Sequence, residues 1–411
     1  MYESLVSSIK KNSYDLSAWF DKHFKRIPLP MITAITIRDG GFKAAPLEIQ
    51  IFPAGMNNLC KADLLSAPNL FRKYFKQHYE DMPRLKKIAV LTTASHINPF
   101  YYEHLYTLIQ LIKKAGFHVE AATLEPLDKK ITIKTPSRKT IHIHPARMEE
   151  RRLKIEKMEP DFIYVNHPFS PELAVKLTQI QQPLNPPCKV LFHKDKKSDY
   201  FSIVNRLAMD FAQIVNVDPW LLKTEFQVEH HVNFDERSGV EKISHGTEAL
   251  LGILALKYKQ YDLAHHPTIK ITNNKGTYGM GIISVASVKE LAMLYRNKKK
   301  KKTSARGQAI INDVLIQEEI PKSPLFKNLF GETIIYLIGR EIAGGYIRTY
   351  ADHETRNLLK SRQQLFVPIC VTGKTHRHPK KRSDKNLNIL YSNLSRVGGL
   401  AAGYEIDRIP S

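Results

Sequence analysis

Cysteine and long apolar runs are scarce in this sequence. The 411 residues include only three cysteines, Cys60, Cys188 and Cys370, which lie far apart and form no C-x-x-C pair. This spacing predicts neither a zinc site nor a disulfide framework, and it favours a reducing compartment. No apolar run approaches the ~20 residues that a membrane helix needs, and the N-terminal stretch lacks the apolar core of a secretory signal. We therefore expect a soluble, cytoplasmic protein with no membrane partner.

Acidic residues are also under-represented. The chain has 40 Asp and Glu against 62 Lys and Arg, which gives a formal net charge of +22. Such a charge attracts anions, which include ATP, carboxylate substrates and nucleic acid. The basic residues are spread along the chain, and the two local runs, at 298–302 and 374–382, are typical of solvated loops. Nucleic-acid binding predicts basic residues interleaved with aromatics in one motif, so a nucleic-acid partner is not favoured.

The first half of the chain alternates between strand and helix patterns. A helix at 101–116 lies between two strand patterns, and such a unit predicts a parallel sheet. The polar, basic residues 128–157 predict a surface excursion. Strands are predicted at 32–37, 86–94, 118–125, 161–169 and 189–194.

The second half predicts antiparallel strands together with helices. A two-strand hairpin is predicted at 333–350 and a further strand at 313–320. Helices are predicted from residue 198 to the turn at 218–220, at 248–258 and at 386–404. We therefore expect an α/β fold in which an N-terminal α/β domain with a parallel sheet, residues 1–197, precedes a nucleotide-holding α+β domain, residues 198–411.

The stretch TIKITNNKGTYGMGIISV at 268–285 contains three glycines between two β-branched strands. Glycines at this spacing allow positive φ and a close approach of backbone N–H groups to phosphate oxygens. The pattern matches neither the GxxxxGK[ST] loop nor a dinucleotide fingerprint. It fits a hairpin flap over a triphosphate, and a purely structural glycine hairpin is the alternative.

Three further segments contain residues that could bind substrates. Glu318 ends an apolar strand, where a carboxylate can meet a ribose, although a core strand that reaches the surface has the same pattern. Arg340 and Arg348 flank a strand turn, and arginine forks clamp carboxylate or phosphoryl oxygens, although surface strands also carry arginines. The N-terminal candidates for substrate binding are Arg38, Asn57 and Asn58, of which the two asparagines also suit a turn.

Taken together, these segments resemble the proteobacterial-type glutamate–cysteine ligases, whose fold is related to the ATP-grasp enzymes. The resemblance spans nearly the whole chain in order. It rests on TIRDGGFKAAPLEIQIFPAGMNNL, HINPFYYEHL, KSDYF, NVDPWLL, GTYGMGI, VLIQE, YLIGREIAGGYIR and SRQQLF. The resemblance implies that residues 198–411 form an ATP-grasp-like domain.

The resemblance also implies an activity. ATP would phosphorylate the γ-carboxylate of glutamate, and the amine of cysteine would then displace phosphate to give γ-glutamylcysteine, the first step of glutathione biosynthesis. The implied small molecules are ATP, Mg²⁺, glutamate and cysteine, and the oligomeric state stays open. The implied catalytic residues are Arg348 and Arg340, and the substrate-binding residues are Arg38, Asn57 and Asn58. The implied nucleotide-binding residues are Lys270, Lys275, Gly276, Thr277, Tyr278, Gly279, Gly281 and Glu318, and the metal ligands are Glu332 and Asn357.

Two positions depart from the family pattern. The family has a lysine four residues before the first glycine of the flap, and this chain has Thr272 there. Lys270 lies on the same face of the strand, about 6.6–6.8 Å away, and is the expected substitute. Near the metal site the chain reads RNLLKSR, which puts Asn357 and Lys360 where the family has metal-binding residues, with Glu354 close by. A catalytically impaired nucleotide or small-molecule binder with a regulatory role is therefore the alternative to an active ligase.

Overall fold

The computed structural model describes residues 2–192, 196–233, 237–275, 283–301, 313–322, 324–326, 329–350, 365–371 and 384–409. Its helices are α1 (Tyr2–Lys11), α2 (Ser13–Arg26), α3 (Lys61–His78), α4 (Phe100–Lys114), α5 (Pro171–Thr178), α6 (Lys189–Phe192), α7 (Lys197–Val215), α8 (Arg237–Gln260), α9 (Val288–Lys301) and α10 (Asp384–Arg408). Within these ranges, no helix is long and apolar enough to cross a membrane.

The strands fall into three sheets. Their bounds are β1 (Ile32–Asp39), β2 (Ala44–Gln50), β3 (Lys87–Leu91), β4 (His118–Thr123), β5 (Ile131–Lys134), β6 (Thr140–Glu149), β7 (Arg152–Ile155), β8 (Phe162–Val165), β9 (Leu184–Asn185), β10 (Phe226–His230), β11 (Ile269–Asn273), β12 (Ile283–Val285), β13 (Asp313–Glu318), β14 (Pro324–Phe326), β15 (Leu329–Ile338), β16 (Glu341–Tyr350) and β17 (Leu365–Ile369).

The predicted parallel sheet is present. Its strand order is β5-β6-β4-β3-β8-β9, with β7 paired to β6, and β3 lies parallel to both β4 and β8. The helix between β3 and β4 ends as predicted, because Gly116 adopts a φ of +102° that other residues rarely take. The KIAVL run of β3 is buried from Ile88 onward, as expected for a strand that helices and loops cover on both faces.

Two predictions about this half of the chain are wrong. Residues 128–157 contain β5, β6 and β7 rather than a surface excursion, and Ile141, Ile143 and Leu153 are buried there. Their apolar positions alternate with polar ones, which is the period of a half-buried strand, but the polar and basic composition of the segment was given more weight. The described part of the strand predicted at 189–194 is instead the short helix α6, because a three-residue apolar run has too little periodicity to separate helix from strand. Residues 193 and 194 lie outside the described residues.

An antiparallel sheet of order β17-β16-β15-β1-β2, with β14 on β15, occupies the centre of the protein. The predicted hairpin at 333–350 forms β15 and β16, and β1 pairs with β15 from Ile32↔Ile338 to Ile37↔Thr333. Strands from residues 1–197 and 198–411 therefore share one sheet. The domain boundary at 197 stays a prediction, and this sheet crosses it.

Both faces of the central sheet are covered. On one face Ile35 and Leu337 pack against α1, α2, α7 and α10, and on the other Ile32 and Tyr336 pack against α3 and α4. Residue Gly344 fits this packing because an added Cβ would lie 2.7 Å from an oxygen of Asp63 on α3. The sheet is thus held rigidly between two helical layers.

The third sheet has the order β10-β13-β11-β12 and is antiparallel throughout. Helices α8 and α9 cover one of its faces, where Ile269, Ile271 and Ile316 are buried. Because side chains alternate along a strand, Lys270 and Thr272 point to the opposite face, away from this core. The helices predicted at 198–218, 248–258 and 386–404 are parts of α7, α8 and α10.

The structure corrects the prediction about cysteine. A disulfide joins Cys60, just before α3, to Cys370, just after β17, and Cys188 is the free thiol. The two partners are separated by 310 residues, so their spacing in the sequence gave no sign that they meet. The bond ties the turn at Met56–Asn58 to the strand beside β16.

Candidate active site

Two arginines and a glutamate lie side by side on adjacent strands of the central sheet. Glu332 of β15 is paired directly with Arg348 of β16, and Arg38 lies near the end of β1, on the other side of β15. Nη2 of Arg348 donates a hydrogen bond of 2.7 Å to one carboxylate oxygen of Glu332, and Nη2 of Arg38 donates to the other. This arrangement fixes two guanidinium groups at one end of the sheet.

The charge state of Glu332 follows from these contacts. Burial alone raises the pKa of this carboxyl, but Arg38 and then Arg348 outweigh burial and hold the pKa well below its usual range. Both carboxylate oxygens are therefore charged and engaged with arginines. The metal role of Glu332 implied by the resemblance stays a prediction.

Lysines of the third sheet and its surroundings face the same cluster. Lys270 of β11 is within electrostatic range of Arg38 and Glu332, and burial followed by the charge of Arg38 lowers its pKa. Lys322, which follows β13, is also within electrostatic range of Arg38, Glu332 and Lys270. Lysines of the third sheet and its surroundings therefore lie within electrostatic range of the arginine pair of the central sheet, and we call the region between them the cleft.

A third lysine, Lys197 at the start of α7, lies beside Thr272. Its Nζ donates hydrogen bonds of 2.7 Å to the carbonyl oxygen of Asn273 and 3.3 Å to Oγ1 of Thr272. Burial and then the charge of Lys270 lower the pKa of Lys197. An ammonium group from α7 thus lies beside position 272.

Two carboxylates complete the lining of the cleft. Glu48 of β2 is accessible to solvent, yet desolvation by the surrounding protein raises its pKa, and the charge of Arg348 opposes this change. A carboxylate that is both accessible and partly desolvated is expected inside a cleft. Glu319 is half-buried and lies within electrostatic range of Lys270 and Lys322. Among these groups, five cations face three carboxylates, so the described part of the cleft suits an anionic ligand.

Glu318 lies on the other side of its strand from Glu319. Both its oxygens accept hydrogen bonds, of 2.8 and 2.9 Å, from Nζ of the fully buried Lys43. The same ammonium lies 4.2 Å from the ring centre of Trp220. Burial lowers the pKa of Lys43 to about 8 against the opposing charge of Glu318. The structure therefore places the predicted nucleotide ligand Glu318 in a buried ion pair, and its neighbour Glu319 at the cleft.

Arg340 is separated from the cluster. It lies at the turn of the β15–β16 hairpin, where Nη1 pairs with Asp21 at 3.0 Å. It lies eight positions before Arg348 in the chain, which corresponds to about 26 Å along an extended strand. The two arginines are therefore close in sequence but far apart in the structure, and Arg340 does not lie in this cleft.

Asn57 and Asn58 occupy a 3₁₀ turn beside the parallel sheet. The amide of Asn57 donates to Oδ1 of Asn58 at 3.1 Å, and the Asn58 side chain reaches the hydroxyl of Tyr346, which precedes Arg348 by two residues on β16. The backbone N–H of Met56 donates to Nδ1 of His104, and burial lowers the pKa of this imidazole to about 4, so the ring is neutral. The turn is thus held near the arginine end of the central sheet.

Several predicted site residues lie outside the described residues. These are Gly276, Thr277, Tyr278, Gly279, Gly281 and Asn357, together with Glu354 and Lys360. Lys275 is described and exposed, and its N–H donates to Oδ1 of Asn273 at 3.0 Å. Within the described ranges, no group of three or more His, Cys, Asp or Glu side chains could hold a metal ion.

Comparison with known proteins decides the family. The profile of the family described as glutamate-cysteine ligase (GshA) matches residues 7–406. The chain belongs to the glutamate–cysteine ligase family. It is accordingly an ATP-dependent ligase that joins a carboxylate to an amine. No curated protein matches this ligase in sequence at a significant level.

One solved structure agrees with the fold of this ligase. A crystal structure from Methylobacillus flagellatus KT, assigned as a gamma-glutamylcysteine synthetase, has a TM-score of 0.83 at 22% identity, covering 99% of this chain and 96% of that one. D-alanyl-alanine synthetase A from Vibrio cholerae has a TM-score of 0.32 at 8% identity, covering 75% and 79%. A RimK domain ATP-grasp protein from Sphaerobacter thermophilus has a TM-score of 0.32 at 11% identity, covering 64% and 74%.

The cleft of the ligase contains residues that sequence reasoning missed. They are Glu48, Lys197, Glu319 and Lys322. Lys197 opens the KSDYF segment that carries part of the family resemblance, so a role for it could have been sought there. The alternation of side chains in VLIQEE could have separated Glu318 from Glu319, although not which of them faces the cleft.

Proposed function

We propose that this ligase forms γ-glutamylcysteine from glutamate, cysteine and ATP, and that the cleft between the central sheet and the third sheet is its active site. The observation that carries the proposal is the position of Lys197 and Lys270 opposite the arginine pair of Arg38 and Arg348. A phosphoryl group that moves from ATP to a carboxylate needs fixed positive charge on both sides of it. This cleft supplies that charge from two different sheets.

Each wall of the cleft has a role in this proposal. Lys197 and Lys270, with Lys275 and the glycine segment 276–281, bind the phosphates of ATP. Arg38 and Arg348 bind carboxylate and phosphoryl oxygens of the glutamyl group, and Glu332 keeps both guanidiniums in place. Asn57 and Asn58 donate or accept hydrogen bonds at the substrate side. Arg340 has no role in the reaction.

In this proposal, Mg²⁺ binds together with ATP. Mg²⁺ takes most of its ligands from phosphate oxygens and water, with one or two protein carboxylates. The two carboxylates of the cleft that are not bound to arginine, Glu48 and Glu319, fit that requirement, and Asn357 keeps its assignment from the resemblance. The bound ion would neutralise phosphate charge.

The reaction itself proceeds in two steps. An oxygen of the substrate γ-carboxylate attacks the γ-phosphorus of ATP, which gives γ-glutamyl phosphate and ADP. The cysteine amine then attacks the acyl carbon, loses a proton and expels phosphate. Water must be kept out between the steps, because it would hydrolyse the acyl phosphate. We place this chemistry in the cytoplasm, where its substrates would be available.

The test is ADP release by the purified chain with Mg²⁺, ATP and glutamate, measured with and without cysteine. We expect cysteine-dependent release together with γ-glutamylcysteine in equal amount, identified by mass. Thermal stabilisation by ATP without turnover would overturn the proposal and support the impaired binder instead. Turnover with another amine, but not with cysteine, would overturn the assignment of the acceptor.

A further inference from the structure

A cavity of about 560 Å³ opens at the opposite end of the β15–β16 hairpin from the active site. Helices α1, α2 and α10 and the hairpin turn surround it. Its floor is apolar, with Phe20 and Leu16 among the lining side chains, and its polar lining includes Lys10, Arg340 and Arg396. A cavity of this size lies within the range of about 300–1,000 Å³ that is typical of small-molecule sites.

Arg396 of α10 is the central cation of this cavity. Its guanidinium carbon lies 5.8 Å from the ring centre of Phe20, which is a cation–π contact. Within the described part of the chain, its guanidinium makes neither an ion pair nor a hydrogen bond. Burial lowers the pKa of Arg396, while the charges of Glu341 and Asp21 oppose the change. The group has thus lost part of its hydration, and both carboxylates lie within electrostatic range of it without forming a direct ion pair among the described residues.

The two carboxylates of the cavity, Asp21 and Glu341, make their direct contacts with other cations. Arg340 pairs with Asp21 at 3.0 Å and contacts Glu341 at 3.6 Å, and Lys73 also pairs with Glu341. Two acidic groups thus already have two basic partners. Lys10 at the rim donates to Oδ1 of Asn386, a neutral amide, at 3.1 Å. The lining of the cavity therefore has three cations, Lys10, Arg340 and Arg396, against two carboxylates, and among the described residues Arg396 pairs directly with neither carboxylate.

We propose that this cavity is a second ligand site, which binds a small organic anion. The carboxylate of the ligand pairs with the guanidinium fork of Arg396, and its apolar part packs against Phe20 and Leu16. Arginine suits this role because its planar donors match the two oxygens of a carboxylate. The site is independent of the ligase reaction, since about 26 Å of strand separates Arg340 from Arg348.

The experiment compares two probes of nearly equal shape on the full-length protein. The probes are 4-cyclohexylbutanoate and its neutral amide, and calorimetry measures the Kd of each. Trp19 lies 4.9 Å from Phe20 between ring centres, so its fluorescence gives a second readout. We expect the carboxylate to bind at least about tenfold more tightly than the amide, which corresponds to one charge-assisted contact.

Variants then assign the binding to this cavity. Arg396→Met should remove the preference for the carboxylate and Arg396→Lys should keep part of it, while Arg408→Met, at an exposed position of the same helix, should change nothing. Ser17→Trp fills the cavity from an exposed lining position and should abolish binding. This variant still tests the proposal if the Arg396 variants do not fold. Equal affinity for acid and amide, or binding that survives Ser17→Trp, would overturn the proposal. Ligase activity is not a readout, so failure of either proposal is recognised separately.

Discussion

Replacing Lys197 by Met tests whether a lysine from α7 has taken over the role of the residue missing at position 272. The Lys197 ammonium lies 3.3 Å from Oγ1 of Thr272 and 2.7 Å from the carbonyl of Asn273. Methionine keeps an unbranched stem of similar length and removes only the charge and its hydrogen bonds. The variant therefore isolates the electrostatic part of the contact with ATP.

The size of the effect follows from the contact that is lost. A hydrogen bond from a charged group contributes about 1.5–3 kcal/mol. At about 1.36 kcal/mol for each factor of ten, kcat/KM for ATP should fall about 10- to 150-fold. The assay is the initial rate of ADP release against ATP concentration, with glutamate and cysteine saturating. The KM for glutamate should change little, because Lys197 lies on the phosphate side of the cleft.

Three companion variants separate this role from simpler ones. Lys154→Met removes an exposed lysine that pairs with Glu149 on the parallel-sheet side, and it should leave all rates unchanged. Lys197→Arg should restore part of the activity, since it keeps the charge. If Lys197→Met leaves the KM for ATP unchanged while Lys270→Met raises it, Lys270 alone replaces the missing residue and the reasoning about α7 is wrong.

Three further predictions concern stability, each measured as the free energy of unfolding in urea. Glu332→Gln should lower the free energy of unfolding at pH values above about 4.3, where an unfolded glutamate ionises. The wild-type free energy of unfolding should fall as the pH drops below that value, and the variant should lose less of it. An unchanged dependence of stability on pH would contradict the depressed pKa of Glu332. Lys43→Met should cost about 3–5 kcal/mol, because Glu318 stays buried without its partner, and adding Glu318→Gln should recover most of it. Cys60→Ser should cost about 2–5 kcal/mol, whereas Cys188→Ser should cost little; equal effects would argue against the disulfide.

Local patterns predicted local structure well. The hairpin at 333–350 and the helix ended by Gly116 are both encoded in short, strongly periodic segments, and both are present. The pairing of β1 with β15 joins residues about 300 positions apart, and the sequence of neither strand indicates which strand it pairs with. The same is true of Cys60 and Cys370. Such long-range pairings are fixed by the packing of the whole chain.

The candidate site was predicted in part for the same reason. Arg38 and Arg348 were chosen from separate segments, and the structure brings both to Glu332. Lys197 was missed because the amine that replaces a lysine at position 272 comes from a different element of the fold. Arg340 lies at the hairpin turn and not beside Arg348, because two residues close in sequence can lie far apart when the strand between them is long.

The place of β1 and β2 in the central sheet has a consequence for synthesis of the chain. These strands leave the ribosome early, yet their partner β15 begins only at Leu329. The parallel sheet, by contrast, is complete once residue 185 has emerged. During translation, the parallel sheet would therefore be complete while the β1–β2 hairpin still has an unpaired edge, because β15 has not yet been synthesised. A nascent ligase stalled before residue 329 would expose that edge to pairing with other chains, which is where we expect chaperones to act.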